Sequence, residues 1–317
     1  MMEAFVTTYA VIGAGAVGGF YGAKLAQGGS DVHFLFRDHA HHVRTSGLDV
    51  RSVDGDFVLE DLSTHEEWST LPEVDVVIVA VKSTANEDVA PRIPAILRPG
   101  GAVLLIQNGL GSEPLFAEAL DGQGEVIGGL AFINSERTGR NQVTHMGNGG
   151  LTIASYLPDY LAAGITDWMR AIAADFEMTS VPVQLQEDLV LARWMKLLWN
   201  IPYNGLSVLL QASTAEIMND PQSTELVEAI MAEVIAAAAS DGRELPAGLA
   251  ELMLDATRKM KPYATSMKVD FDKNRPLEVE AIVGEPLRRG QGHGTPMPVI
   301  ETLYRALCFT NARITSS

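Results

Sequence analysis

A short apolar run, Thr8-Tyr-Ala-Val-Ile12, leads directly into Gly13-Ala14-Gly15-Ala16-Val17-Gly18, and the following FYGAKLAQGG has helical spacing and a glycine stop. Strand, glycine turn and helix in that order open a βαβ unit, which commits the chain to a layered α/β architecture. Gly13 permits the tight turn, Gly15 lets the backbone approach a pyrophosphate, and Gly18 permits close packing of the helix. The helix start then offers free N–H groups and the positive end of its dipole to phosphates. Residues 13–18 are therefore read as a dinucleotide site rather than a plain structural turn.

The first half continues in the same alternation. Asp31–Arg37 (DVHFLFR), Asp75–Val81 and Ala102–Ile106 are apolar runs with plausible crossovers before them, as buried parallel strands require. Residues 48–62 read as an inserted hairpin around Asp54-Gly55, and residues 126–153 as further strands around Arg137-Thr-Gly139. From about residue 184 the segments become rich in Ala, Leu, Met and Glu, and read as helices over 185–210, 223–240, 248–260, 276–289 and 298–311. A chain of 317 residues suggests two domains at roughly 150 residues each. The expectation is an α/β Rossmann-type domain with a parallel sheet over residues 1–183, followed by an all-α domain over 184–317. With 47% hydrophobic and 20% charged residues, disordered and low-complexity classes are excluded.

Forty acidic residues against 23 Lys and Arg give a formal charge of −17, a sign that opposes attraction to nucleic acid or anionic membranes. Any anionic ligand must then be held by a local positive site. Cys308 is the single cysteine, so no intrachain disulfide forms and a reducing cytoplasm is expected. The start, MMEAFVTTY, lacks a basic stretch before an apolar run, and no run approaches the length of a membrane span, so a soluble cytoplasmic protein is expected.

Nineteen residues after Gly18, at the end of the second strand, stands Arg37, where NAD-selective folds place an acidic residue. A guanidinium there suits a ribose 2′-phosphate bidentately, so NADPH/NADP+ is the expected cofactor. The alternative is that Arg37 pairs with Asp38 at the surface. Lys82 and Asn108 follow the carboxyl ends of later strands, where open α/β sheets bind ligands. His39, His41 and His42 beside Asp38 lack metal-ligand spacing and read as a solvated loop, with no metal expected. His293, between two glycines, reads as a turn residue.

In the second half, Lys196, Asn200 and Asn204 are spaced i, i+4, i+8 and drift by only about 80° around a helix, so they share one face. Leu197, Leu198 and Ile201 place that face beside apolar surface, and Pro202 removes one bond of the ladder. The competing reading is an ordinary polar helix face. Pro276 suits the first position of a helix, which puts Glu278 in its first turn; position alone leaves Glu278 as a cap or dipole residue, and Ser266 as a turn cap.

Taken together, GAGAVGG, Arg37, Val81-Lys82, Gln107-Asn108-Gly109, Trp194-x-Lys196-Leu with Asn200 and Asn204, and Ser266-Met with Glu278 twelve residues on, resemble the ketopantoate reductase (2-dehydropantoate 2-reductase) family over nearly the whole chain. The resemblance implies NADPH-dependent reduction of 2-dehydropantoate to pantoate, a step toward pantothenate and coenzyme A. Carried onto these residues, it implies Lys196 and Glu278 as catalytic groups, with Asn108, Asn200, Asn204 and Ser266 binding the substrate. It further implies Gly13, Ala14, Gly15, Ala16, Val17, Gly18, Arg37, Lys82, Asn108 and Glu278 at the cofactor. The family often has Gly-Arg-x-Thr-Glu before the glutamate; here the run is Lys273-Asn-Arg275-Pro-Leu277-Glu278. The alternatives are reduction of another branched 2-oxo acid, or a non-enzymatic NADP-sensing protein. The latter needs no lysine and amide face. An opine or hydroxyacid dehydrogenase would commonly use a catalytic histidine, and no convincing one is present. Two arrangements stay open for the helix over 223–240, packing internally or against a second subunit, and the second would make a homodimer.

Overall fold

The computed structural model describes residues 6–262 and 264–315. The chain divides into two compact units, one of Met1–Gln107 with Ser112–Leu189, the other of Asn108–Gly111 with Val190–Ser317. The break expected after residue 183 falls instead at Leu189, because Val183–Leu185 is a strand paired in the first unit's sheet. The loop 108–111 is likewise reassigned to the second unit.

The first unit runs β1 (Thr8–Ile12), α1 (Ala16–Gln27), β2 (Asp31–Leu35), α2 (Ala40–Ser46), β3 (Leu48–Ser52), β4 (Phe57–Leu59), β5 (Ser63–His65), β6 (Val74–Val79), α3 (Asn86–Val89), β7 (Leu97–Ile106), α4 (Glu113–Leu120), β8 (Glu125–Arg137), β9 (Gln142–Ser155), α5 (Asp167–Glu177) and β10 (Val183–Leu185). The sheet order is β4-β3-β9-β8-β7-β6-β1-β2-β5, with β10 also on β9. β2, β1, β6, β7 and β8 are mutually parallel, and the two hairpins, β3–β4 and β8–β9, make the sheet mixed. The chain leaves β1 toward β2 and returns on its other side as β6, so the strand order reverses at β1. Ligands of open α/β sheets bind outside the strand carboxyl ends at such a point.

Period-two alternation explains why the central strands are apolar throughout. Val11, Ile78 and Leu104 pack on one face with Phe20, Leu25 and Phe34, while Ile12, Val77, Val79 and Leu105 pack on the other with Ile93 and Phe116. Each such buried side chain contributes about 1.5–3 kcal/mol. Asp75 interrupts β6 without penalty because Arg98 Nη1 lies 2.8 Å from one oxygen and the Thr8 N–H and hydroxyl donate to the other.

The second unit is helical: α6 (Leu189–Leu209), α7 (Thr214–Asn219), α8 (Pro221–Ser240), α9 (Leu249–Lys259), α10 (Ser266–Asp272), α11 (Glu285–Gly292) and α12 (Pro298–Thr315), with one turn of π-helix at Glu280–Gly284 leading into α11. Local sequence explains the starts. Ser213 and Glu216 form a capping box, Asp220 caps α8 ahead of Pro221, and Thr265 caps α10. The α12 start is met from afar, as both Glu233 carboxylate oxygens accept its Val299 and Ile300 N–H groups at 2.9 Å. Buried Asp241 joins three elements: it accepts from Trp194 Nε1 on α6 at 2.8 Å, and from Arg289 on α11 at 2.6 and 2.8 Å. His293 Nε2 lies 3.1 Å from the same carboxylate, a structural placement.

The helix expected from Pro276 begins later. Residues 275–278 carry no helix, since the Leu277 N–H is donated to the Asn311 side chain, and Glu278 therefore precedes the helix rather than sitting in its first turn. Among the described residues, no helix is long and apolar enough to cross a membrane.

Candidate active site

The glycine turn is built as a cradle. Gly13 has φ +92°, and a Cβ there would lie 2.6 Å from the Val81 nitrogen; a Cβ on Gly18 would collide with the Gly13 carbonyl oxygen. By contrast, a Cβ on Gly15 would meet nothing nearer than 3.9 Å. The backbone at Gly15 thus has open space beside it, and α1 begins there with no side chain capping its N–H groups. Buried Ala14 and half-buried Ala16 and Val17 complete the turn. An uncapped helix start on a glycine turn at the sheet's reversal point fits a dinucleotide pyrophosphate.

Two further cations stand beyond the neighbouring strands. Arg37 is exposed two residues past β2, and Lys82 is exposed three residues past β6. The loop carrying Lys82 is fixed from below: Gln107 Nε2 donates to the Val81 carbonyl at 2.8 Å and to Asn86 Oδ1 at 2.7 Å, and Asn86 donates to Ser112. His39 precedes α2 without a side-chain bond to its start, and His41 and His42 are exposed on the helix. Among the described residues, no group of three His, Cys, Asp or Glu side chains is arranged to hold a metal.

In the second unit, α6 carries Lys196, Asn200 and Asn204 along one side. Lys196 is half-buried, and both asparagines are buried. Burial pushes the Lys196 ammonium down to about 7, with Arg193 one turn earlier pushing the same way and the Glu278 carboxylate opposing. Glu278 is itself buried. Arg193, which is buried too, is a residue that sequence reasoning missed: it stands immediately before Trp194-x-Lys196, and nothing in that spacing marks its charge as acting on the lysine.

The asparagines differ. Asn204 Oδ1 accepts from the Met267 N–H at 3.2 Å and from Ser266 Oγ at 3.4 Å, so it holds the start of α10 and the half-buried Ser266 beside α6. Ser207 strengthens the same junction through Thr265 Oγ1 at 2.7 Å. Asn200 is buried as well, and its side chain is not among the described groups left orphaned in the interior.

Half-buried Asn108 is placed by backbone contacts. The Leu110 N–H donates to the Ala281 carbonyl, inside the π-turn, at 2.8 Å. Gly109 has φ +93°, and a Cβ there would lie 2.7 Å from Ala281 Cβ and strike the Ala281 carbonyl. Glycine at 109 is thus required by this docking, a signal absent from the sequence because its partner lies far along the chain. Lys196, Glu278, Asn108, Asn200, Asn204 and Ser266 all belong to the second unit, whereas residues 13–18, Arg37 and Lys82 belong to the first.

Such an arrangement offers a proton donor near neutrality, a carboxylate acting on its charge, and amide and hydroxyl donors for a small polar substrate. The family model described as "Ketopantoate reductase PanE/ApbA" matches residues 9–158, and "Ketopantoate reductase PanE/ApbA C terminal" matches 188–310. A 2-dehydropantoate 2-reductase from Nostoc sp. is 48% identical over 305 residues, covering 96% of this chain and 95% of that one. Crystal structures of 2-dehydropantoate 2-reductases from Geobacter metallireducens (37% identity, TM-score 0.87, 94% of this chain and 98% of that one) and Methylococcus capsulatus (33%, 0.89, 98% of each) share the fold.

Proposed function

The chain belongs to the ketopantoate reductase family of oxidoreductases, and from that premise we propose that it reduces 2-dehydropantoate to pantoate with NADPH. The observation that carries the reading is Lys196, an ammonium brought to about 7 by burial and Arg193 while Glu278 holds it charged. General-acid catalysis works best when the donor's pKa lies near the operating pH.

The chemistry that bound NADPH supplies is a hydride for the ketone carbon. As charge develops on the ketone oxygen, Lys196 Nζ donates a hydrogen bond and then its proton, a contribution typically about 10²–10⁴ in rate. Glu278 keeps the ammonium protonated beforehand and accepts from the substrate hydroxyl. Asn200 supplies its amide to the substrate. Asn204 offers its NH₂, since its oxygen already holds α10. Ser266 Oγ, held by Asn204 only at 3.4 Å, turns to donate to the substrate carboxylate. Asn108 orients the lysine and the substrate.

Preference for NADPH over NADH rests on Arg37, whose guanidinium pairs bidentately with a 2′-phosphate, and Lys82 adds positive charge beside the same turn. These local charges oppose the acidic whole of the chain. The test is NADPH oxidation with 2-dehydropantoate against a panel of branched 2-oxo acids, in the wild type and in Lys196→Ala. The expected result is highest kcat/KM on 2-dehydropantoate and loss of most turnover, with NADPH binding retained, in the variant. Activity on another acid alone would remove the substrate assignment, and an unimpaired variant would remove Lys196 from the mechanism.

A further inference from the structure

We propose that Asn311, on the last helix of the chain, is a positioning residue for Glu278. The proposal rests on the reading of Glu278 given above.

Between α10 and the π-turn the backbone runs as an irregular strap. Its Arg275 N–H turns back to the Asp270 carbonyl at 2.9 Å, and Pro276 has no N–H to give. The next donor, the Leu277 N–H, goes to Asn311 Oδ1 at 2.8 Å, across 34 residues of sequence. Leu277 and Glu278 are 2% and 5% exposed, so this peptide has little water to turn to if the asparagine is removed. On the far side of Glu278, the Tyr304 hydroxyl donates to Glu280 Oε1 at 2.6 Å. Asn311 and Tyr304 both stand on α12. One helix therefore holds the strap's backbone immediately before the glutamate, and from the same helix an exposed side-chain contact reaches the first residue of the π-turn.

A side chain's aim follows from the backbone that carries it. Glu278 acts on Lys196 through its charge, and that action depends on where the carboxylate sits. The bond from the Leu277 N–H to a rigid helix sets this position more tightly than an irregular strap does by itself. α12 is in turn fixed at its own start by Glu233. Asn311 touches neither substrate nor cofactor in this account; it acts through Glu278 alone. Misplacement of a catalytic group by about 1 Å costs up to roughly 10²-fold in rate, even when the change lies outside the site.

The experiment is a double-mutant cycle on the full chain, with kcat and KM for the oxo acid and for NADPH measured in wild type, Asn311→Ala, Glu278→Gln and the pair. The expected result is a fall of about tenfold in kcat for Asn311→Ala with KM for NADPH unchanged, and little further loss when the same change is made in Glu278→Gln. Asn311→Asp, isosteric and still an acceptor for the Leu277 N–H, should recover most of the rate. Equal loss factors in the two backgrounds would mark Asn311 as merely structural and overturn the proposal. So would wild-type kcat in Asn311→Ala, or failure of the aspartate to restore it. Asn311→Ser, whose hydroxyl is too short to reach, replaces the alanine variant if circular dichroism shows that one to be misfolded. Glu278→Gln by itself separates the two levels: full turnover there defeats the reading of Glu278, whereas its loss beside an unimpaired Asn311→Ala defeats the role of Asn311 alone.

Discussion

Replacing Lys196 by Met should make the protein more stable while disabling it. The folded-state pKa of Lys196 is about 7 against an ordinary 10.5, so the unfolded chain binds this proton more tightly than the folded one. Unfolding free energy therefore rises with pH between these two values; the lysine's destabilisation is full below about 7 and is gone by 10.5. At roughly 1.4 kcal/mol per pH unit, the penalty is on the order of 4 kcal/mol at pH 7 and about 2 kcal/mol at pH 9. Methionine has a similar length and no charge, so Lys196→Met escapes the penalty at every pH. It also leaves buried Glu278 without the opposing ammonium, so Lys196→Met/Glu278→Gln is measured alongside and should be the more stable of the two. The assay is urea unfolding from pH 6 to 10, followed by the fluorescence of Trp194 and Trp199, which lie on the same helix. The stability gap between variant and wild type should be widest at the acid end and close as the pH rises. Turnover should fall by about 10²–10⁴. A gap that stays constant with pH, or a variant less stable than wild type throughout, would refute the argument that burial suppresses the lysine's charge.

Three other outcomes are expected. Arg37→Ala should lower kcat/KM for NADPH by about 10–100-fold, the worth of a hydrogen-bonded charge at about 1.5–3 kcal/mol, while leaving NADH nearly unchanged; parallel kinetics with the two cofactors decides it. Gly13→Ala places a side chain 2.6 Å from the Val81 nitrogen at φ +92°, and should abolish the binding-induced change in NADPH fluorescence. Asp241→Ala leaves Arg289 and Trp194 Nε1 without their shared acceptor, and should cost about 3–5 kcal/mol in denaturant unfolding, as breaking a buried ion pair does.

What was legible in the sequence was what adjacent residues determine. The turn at residues 13–18 announces itself because strand, glycines and helix are contiguous, and Lys196, Asn200 and Asn204 share a face because one uninterrupted helix carries them. Glu278 was found through family resemblance, but its setting was misread. Pro276 favours a helix start on local grounds, and the competing hydrogen bond comes from Asn311, far along the chain. The domain break was placed early for a similar reason: Val183–Leu185 is too short to read as a strand until β9 is there to pair with it. Loop 108–111 ends a strand of one unit yet packs with the other, and only the Ala281 carbonyl shows why Gly109 follows Asn108. Arg193 needed no distant partner; its effect on Lys196 requires only that the pair be shielded from water, which spacing does not report.

The π-turn at Glu280–Gly284 also acts as a change of phase. An α-helix advances about 100° per residue, so the wider turn offsets every later side chain by about that angle relative to an unbroken helix. Deleting one residue there would restore a regular ladder and swing Arg289 away from Asp241, while the strap bearing Glu278 stayed on α12. One surplus residue thus reconciles two demands on a single stretch of chain: the buried Glu278 carboxylate at its beginning and a buried ion pair at its end. Insertions and deletions within 279–285 should therefore be tolerated far less well than substitutions at the same positions.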